Sequence, residues 1–214
     1  MAGAAMNEKN YQQQATAAEM QTLDALQGQL AEKARALELV DVAYRVVDSP
    51  VGSLLLASSD AGLVRVAFES EGHDRILELL SEKLSPRILR DKSSLDGTAR
   101  QLDEYFAGTR HSFELPVDLQ LSTRFRRQVQ LQLEHIDYGQ TRSYAQLAQQ
   151  IGKPKAVRAV GSACATNPIP IVLPCHRVLR TDGSLGGYLG GLQAKTELLK
   201  LENPDFAGSA ATLF

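Results

Sequence analysis

Strand-forming residues are crowded into one short part of this 214-residue chain rather than spread along it. Val42-Ala-Tyr-Arg-Val-Val47 is β-prone and partly alternating, Leu54–Ala57 reads as a buried strand, and Leu63–Phe68 as a third. Ser49-Pro-Val-Gly52 and Asp60-Ala-Gly62 supply the turns between them. Helical patterns follow. Ile76, Leu77, Leu79, Leu80 and Leu84 fit a helix ending before Pro86, and another runs across Leu95–Phe106 to a stop at Gly108. The grouping predicts a small α/β unit, a β-sheet with helices, over residues 42–118, and no catalytic constellation is visible in it.

Residues 119–203 read as mainly helical, which makes the whole chain α+β. Phe125, Val129, Leu133 and Ile136 share one face of a helix that begins after Ser122-Thr123 and stops at Gly139. Ser143-x-x-Gln146 is a capping-box pattern opening a short helix, Tyr144–Gln150. Gly152-Lys-Pro154 is a turn and Ala156–Thr166 a second helix, which together form the helix-turn-helix pattern. Lys153, Lys155 and Arg158 cluster at that turn and at the start of the second helix, where backbone amides also favour phosphate.

Residues 1–41 form an extension, helical or disordered, and residues 204–214 a tail. Met20, Leu23, Leu26, Leu30 and Leu37 fit a narrow amphipathic stripe. It either docks on the body or a partner, or belongs to a frayed, solvated arm; the lack of clear capping signals favours the arm. The net charge of −2 hides an asymmetry. Residues 121–202 carry 11 Lys and Arg against 5 Asp and Glu, whereas residues 1–120 carry 12 against 19. A basic half joined to an acidic one is expected where only one half faces phosphate. No run of 18 apolar residues and no apolar signal core occur, so the chain is expected to be soluble and cytoplasmic, nucleoid-associated in a bacterium, with no membrane partner. Two cysteines, no Cys-x-x-Cys pair and four scattered histidines argue against a disulfide scaffold or a structural zinc site, so no metal is expected.

Chemistry concentrates in Asn167-Pro-Ile-Pro-Ile-Val-Leu-Pro-Cys175-His176-Arg177-Val178. A strand-like apolar run, Ile169–Leu173, delivers a thiol between Pro174 and His176. A thiol reacts as its thiolate and needs a nearby cation or base. An adjacent histidine can point away, and cysteine is often simply buried, so Cys-His alone leaves both readings open.

The wider pattern narrows them. Pro-Cys-His-Arg-Val is preceded by Arg158-Ala-Val-Gly161 and Asn167-Pro168. It is followed by Gly187-Tyr188-x-Gly190-Gly191-Leu192-x-x-Lys195-x-x-Leu198-Leu199-x-x-Glu202. This series resembles the O6-alkylguanine-DNA alkyltransferase family, strongly over 125–202 and more weakly through Ser49-Pro-Val-Gly52 and Leu115-Pro-Val-Asp118. The resemblance implies that Cys175 accepts the alkyl group and that His176, through a water and oriented by Glu202, helps deprotonate it. It implies that Asn167 ties the helix-turn-helix to the reactive turn. It further implies that Arg158, within the DNA-contacting run that includes Ala159 and Gly161, fills the gap left by an extruded base, and that Tyr144 rotates the target phosphate and hydrogen-bonds guanine. By the same resemblance Tyr188 and Lys195 are expected to wall the pocket, and backbone at Cys175, Val178 and Leu189 to meet the guanine edge.

By the same resemblance the substrate is duplex DNA carrying O6-alkylguanine, with O4-alkylthymine an open second substrate, approached through the minor groove. Transfer is irreversible and single-turnover and needs no cofactor. The protein is expected to be a monomer in solution, with cooperation on DNA left open. The alternatives are a non-catalytic binder of alkylated DNA, which commonly carries Trp in place of the cysteine, a helix-turn-helix regulator, and a Cys-His hydrolase. The chain departs from the family pattern at Gln130, where members commonly have Trp, and at Ser122-Thr123, where a Gly-Thr pair is usual. These departures bear on packing more than on chemistry.

Overall fold

In the computed structural model, residue 19 and residues 21–206 are described. Met20, most of the extension before it and the tail beyond Phe206 lie outside the described residues.

The crowded β-prone runs form one sheet. Strands β1 (Val42–Val47), β2 (Leu54–Ser59) and β3 (Gly62–Phe68) make an antiparallel meander, closed by the turns expected at Ser49–Gly52 and Asp60–Gly62. A fourth strand, β4 (Ile88–Arg90), pairs parallel with β1 and gives the order β3-β2-β1-β4. It was not expected from sequence.

The sheet is apolar on both faces because both are covered. Leu55 and Ala57 of β2 turn toward Ile76 and Leu80 of α2 (His73–Lys83). Leu54 and Leu56 turn the other way, toward Leu102 of α3 (Asp96–Phe106). A β-bulge opposite Ala57 and Ser58 shifts the register, so Leu63 and Val66, three residues apart, join Leu56 on one face. That second face belongs to a core that continues into the carboxyl-terminal half, through Val129, Leu147, Val160, Ile169 and Leu198.

The carboxyl-terminal half is built from α4 (Arg124–Leu133), α5 (Tyr144–Gln150), α6 (Val157–Ala165) and α7 (Gly191–Glu202). The parallel pair β5 (Arg142–Ser143) and β6 (Val178–Leu179) lies among them. Ser143 caps α5 as expected: its hydroxyl accepts from Gln146 N at 3.1 Å while Gln146 Oε1 accepts from Ser143 N at 2.7 Å. Helix α4 stops at Leu133 rather than Gly139, and a tight turn carries Ile136 into the core. Gln130 is fully buried between α4 and α6 and donates to the carbonyls of Ala163 and Thr166.

One further expectation fails, and another is settled only in part. Ile169–Leu173 is not a strand but a compact loop, with Ile171 at φ 74 and Leu173 N bonded to Ile169 O. Pro168, Pro170 and Pro174 cannot donate to a ladder, which removes the strand option. The extension is ordered as helix α1 over residues 21–36, but its leucines do not dock. Leu23, Leu26, Leu30 and Leu37 are all more than half exposed. The opposite, polar face is held to the β4 side: Arg90 donates to Gln27, Lys92 pairs with Asp24, and Arg35 meets Asp91 and Ser93.

The turn before β3 has no room for a side chain. Gly62 sits at φ +136, and a Cβ there would lie 2.3 Å from the Pro116 carbonyl oxygen. That close approach lets Leu63 N reach Pro116 O and Asp118 N reach Leu63 O, pinning the Leu115–Asp118 segment along β3. Gly62→Ala is expected to lower stability by about 3 kcal/mol, from strain and displaced backbone together. Gly108→Ala, at positive φ but in open space, should cost about 1 kcal/mol. Chemical denaturation of the two variants checks the difference, and equal losses would contradict it.

Candidate active site

The loop before Cys175 is held by a side chain rather than by a ladder. Asn167 is fully buried at the end of the α6 connection. Its Nδ2 donates to Leu173 O at 2.8 Å and to Cys175 Sγ at 3.1 Å, and its Oδ1 accepts from Ile169 N at 3.1 Å. One amide thus spans the loop and ends on the thiol. Cys175 then opens a 3-10 helix, Cys175–Arg177, which places His176 and Arg177 inward as well.

Burial pushes the Cys175 thiol up to about 11, against the Asn167 hydrogen bond and the positive charge of Lys195. At neutral pH it is a protonated thiol that requires a base. His176 is the neighbour able to act as one. Burial lowers its proton affinity below the usual imidazole range, although Glu202 works in the opposite direction. Its Nε2 lies 2.7 Å from Glu202 Oε1. Glu202 is also buried, yet His176 and Arg177 hold its carboxyl well below the usual range despite the desolvation. An ionised carboxylate only accepts, so Nε2 carries the hydrogen and Nδ1 keeps its lone pair. That Nδ1 is buried and has no protein partner.

Glu202 ends α7 and is saturated with donors. Arg177 reaches it in a fork, Nε at 2.8 Å and Nη2 at 2.9 Å. Gly139 N donates at 3.1 Å and the hydroxyl of Tyr105 at 2.6 Å. Neither Arg177 nor Tyr105 was assigned a role from sequence. Arg177 stood inside the quoted motif, whereas nothing near Tyr105 marked it.

Lys195, on α7, is fully buried and donates to Val178 O at 2.7 Å. Burial lowers its ammonium to about 8. Tyr188 is half-buried; its ring meets His176 and Phe68 edge-on, and its hydroxyl is buried without a protein partner. Phe68 of β3 also lies under Gly190, where a Cβ would fall 2.7 Å from the ring. Leu189 is half-buried beside them. Tyr144, first residue of α5, packs against Gly161 and covers Gly186, where a Cβ would lie 2.3 Å from its hydroxyl. Burial pushes the Tyr144 phenol up to about 12. Gly186 was not singled out in the sequence; the Gly186-Gly187 pair was its only signal.

The remaining expected residues lie apart from this cluster. Lys153, Lys155, Arg158 and Ala159 are exposed on the turn between α5 and α6 and the first turn of α6. Lys153 Nζ sits 5.5 Å from the Phe125 ring centre. Cys164 is buried in the α6 core, its thiol pushed far up by burial. Among the described residues, no group of three or more His, Cys, Asp or Glu side chains is arranged to hold a metal ion. No helix there is long and apolar enough to cross a membrane.

Two family models match the chain. One, for the 6-O-methylguanine DNA methyltransferase ribonuclease-like domain, covers residues 42–119; the other, for the DNA binding domain of the same proteins, covers 124–204. A methylated-DNA–protein-cysteine methyltransferase of Methanosarcina barkeri is 42% identical over 159 residues, covering 74% of this chain and 96% of that protein. The protein of that name from Mycobacterium tuberculosis strain H37Rv is 42% identical over 159 residues, covering 74% and 91%. The crystal structure of M. tuberculosis O6-methylguanine methyltransferase aligns with TM-score 0.66 at 39% identity, covering 76% of this chain and 93% of that one. A structure of M. tuberculosis OGT in complex with DNA aligns with TM-score 0.65 at 40% identity, with the same coverage.

The buried charges set a pH response. Glu202 has a lower pKa in the fold than its ordinary 4.5, so its contribution to stability is present above pH 4.5 and is lost as pH falls toward the folded value. His176 is likewise depressed from 6.5, so the unfolded chain binds its proton first and stability declines as pH drops below 6.5. Glu202→Gln, which leaves Arg177 buried and uncompensated, should cost about 3–5 kcal/mol at pH 7. The gap from wild type should narrow below pH 4.5. Denaturation midpoints across pH test this; a constant gap would refute it.

Proposed function

Because this chain belongs to the 6-O-methylguanine DNA methyltransferase family, we propose that it repairs O6-alkylguanine in duplex DNA by moving the alkyl group irreversibly to its own Cys175. The observation that supports the assignment of Cys175 is its setting: Asn167 donates to its sulfur at 3.1 Å, and His176 follows it in the chain with Nε2 on Glu202. A thiol too weakly acidic to ionise alone stands beside a neutral imidazole with one nitrogen committed to Glu202 and the other free.

A base inside a stacked duplex is out of reach, so the nucleotide is flipped out; a damaged pair costs less to open. The proton of Cys175 passes by a bridging water to His176 Nδ1, and the imidazolium is held by Glu202. The sulfur attacks the alkyl carbon in line. The S–C bond forms as the C–O6 bond breaks, and guanine leaves neutral by taking up a proton through its hydrogen bond from Tyr144, which the imidazolium replaces by way of solvent. Asn167 fixes the sulfur. Lys195 braces the Val178 carbonyl, and Tyr188 and Leu189 line the pocket. The thioether product is stable, so each molecule acts once.

DNA is the partner. The exposed Lys153, Lys155 and Arg158 make the α5–α6 pair the contacting surface, Arg158 entering the stack behind the flipped base, with Ala159 and Gly161 close to the backbone in the minor groove. The protein acts as a monomer in the cytoplasm, where its two thiols stay reduced.

Mixing the protein with duplex DNA carrying O6-methylguanine should add one methyl group to Cys175, read by intact mass and peptide mapping, and stop at one per molecule. Cys175→Ser should bind the lesion and gain no mass; a methylated serine variant would remove Cys175 from the reaction. Arg158→Ala should slow transfer from duplex DNA roughly tenfold or more, because flipping loses its support. Its rate on a free alkylated guanine base should match wild type. Equal losses on both substrates would contradict the flipping role.

A further inference from the structure

The donors on Glu202 come from places far apart in the fold. Three belong to the carboxyl-terminal half: Arg177 and His176 from the 3-10 helix, and Gly139 from the loop after α4. Tyr105 is the exception. It stands on α3, 97 positions away in the chain, among residues that contribute nothing to the pocket proposed above.

Its ring is fully buried and caged by Phe106, Phe113 and Tyr138 at centroid distances of 5.4, 5.4 and 6.1 Å. Phenylalanine would fill that cage equally well. A buried hydroxyl needs a partner, and this one finds Glu202 Oε1 at 2.6 Å, the same oxygen that His176 Nε2 meets at 2.7 Å. We propose that Tyr105 is a positioning residue for the transfer: its hydroxyl fixes Glu202 Oε1 against His176 and moderates how strongly that carboxylate holds the imidazolium. The inference rests on the alkyl-transfer reading.

The histidine and the carboxylate are enclosed by a small set of polar and charged groups. His176 is faced by Glu202 and Lys195 from α7, by Arg177 from its own turn, and by Tyr188 from the following loop. Glu202 is faced by His176, Arg177, Tyr105 and Tyr138, and His111 stacks on the Tyr138 ring at 4.1 Å. Removing the Tyr105 hydroxyl changes no formal charge in this set. It takes one donor from Oε1, which then attracts an imidazolium more strongly.

The test is the pH dependence of single-turnover transfer to the full-length chain. Tyr105→Phe should move the midpoint of the acidic limb upward by about half a unit to one unit. A profile superimposable on wild type, whatever the change in rate or melting temperature, would overturn the proposal. Phe113→Leu loosens the same cage without touching the hydroxyl, so it should lower stability and leave the midpoint in place; an equal shift would assign the effect to packing. Should Tyr105→Phe fail to fold, 3-fluorotyrosine placed at position 105 donates more strongly and should lower the midpoint, and an unmoved midpoint there overturns the proposal as well. If wild type gained no methyl group, the alkyl-transfer reading itself would fall, an outcome distinct from variants that transfer with unchanged profiles.

Discussion

The Arg177–Glu202 ion pair has almost no contact with solvent, and the geometry around Cys175 depends on it. Two charges taken out of water repay their desolvation only when every remaining lone pair and proton is matched. Here the matching is extensive. Arg177 also donates to Ile136 O and lies 5.8 Å over the Tyr138 ring. Glu202 accepts from His176, Gly139 and Tyr105. Satisfying one pair therefore fixes the end of α7, the 3-10 turn, the loop after α4 and one residue of α3 in a single arrangement.

That arrangement ties together two halves of contrasting charge. The sheet gives one face to α2 and the other to a core shared with the helices of the carboxyl-terminal half. Phe68 crosses the boundary to meet Tyr188 and Gly190, and Tyr105 crosses it to meet Glu202. Cys175 sits in the more basic half, but the residues around its site are drawn from both.

Local signals in the sequence are readable where local chemistry decides the outcome. The Ser143 capping box, the turns at Gly52 and Gly62 and the stop of α3 before Gly108 all follow from residues within a few positions of one another. Strand β4 escapes notice because three residues carry no periodicity; it exists because β1 offers an edge. Hydrophobicity alone mistakes Ile169–Leu173 for a strand, although its prolines and the Asn167 amide favour a loop. The leucine repeat of α1 correctly indicates a helix but not its docked face, which polar pairs to Asp91, Arg90 and Lys92 select instead. In the site, Cys175 and His176 stand side by side in one motif, while Glu202, 26 positions on, is picked out only by the resemblance of the wider series. Tyr105 cannot be found in this way, since only the folded chain brings it within hydrogen-bonding distance.

The core that passes unbroken from β2 to α7 has a mechanical meaning for the proposed transfer, in which a base enters from outside the protein. Asn167, Arg177 and Lys195 each clamp backbone in the interior around Cys175, which leaves the proposed transfer few ways to deform the protein. Under the proposed transfer, the duplex would supply the compliance. Bases already loosely held would be favoured, and discrimination would begin in the nucleic acid, before the thiol is reached.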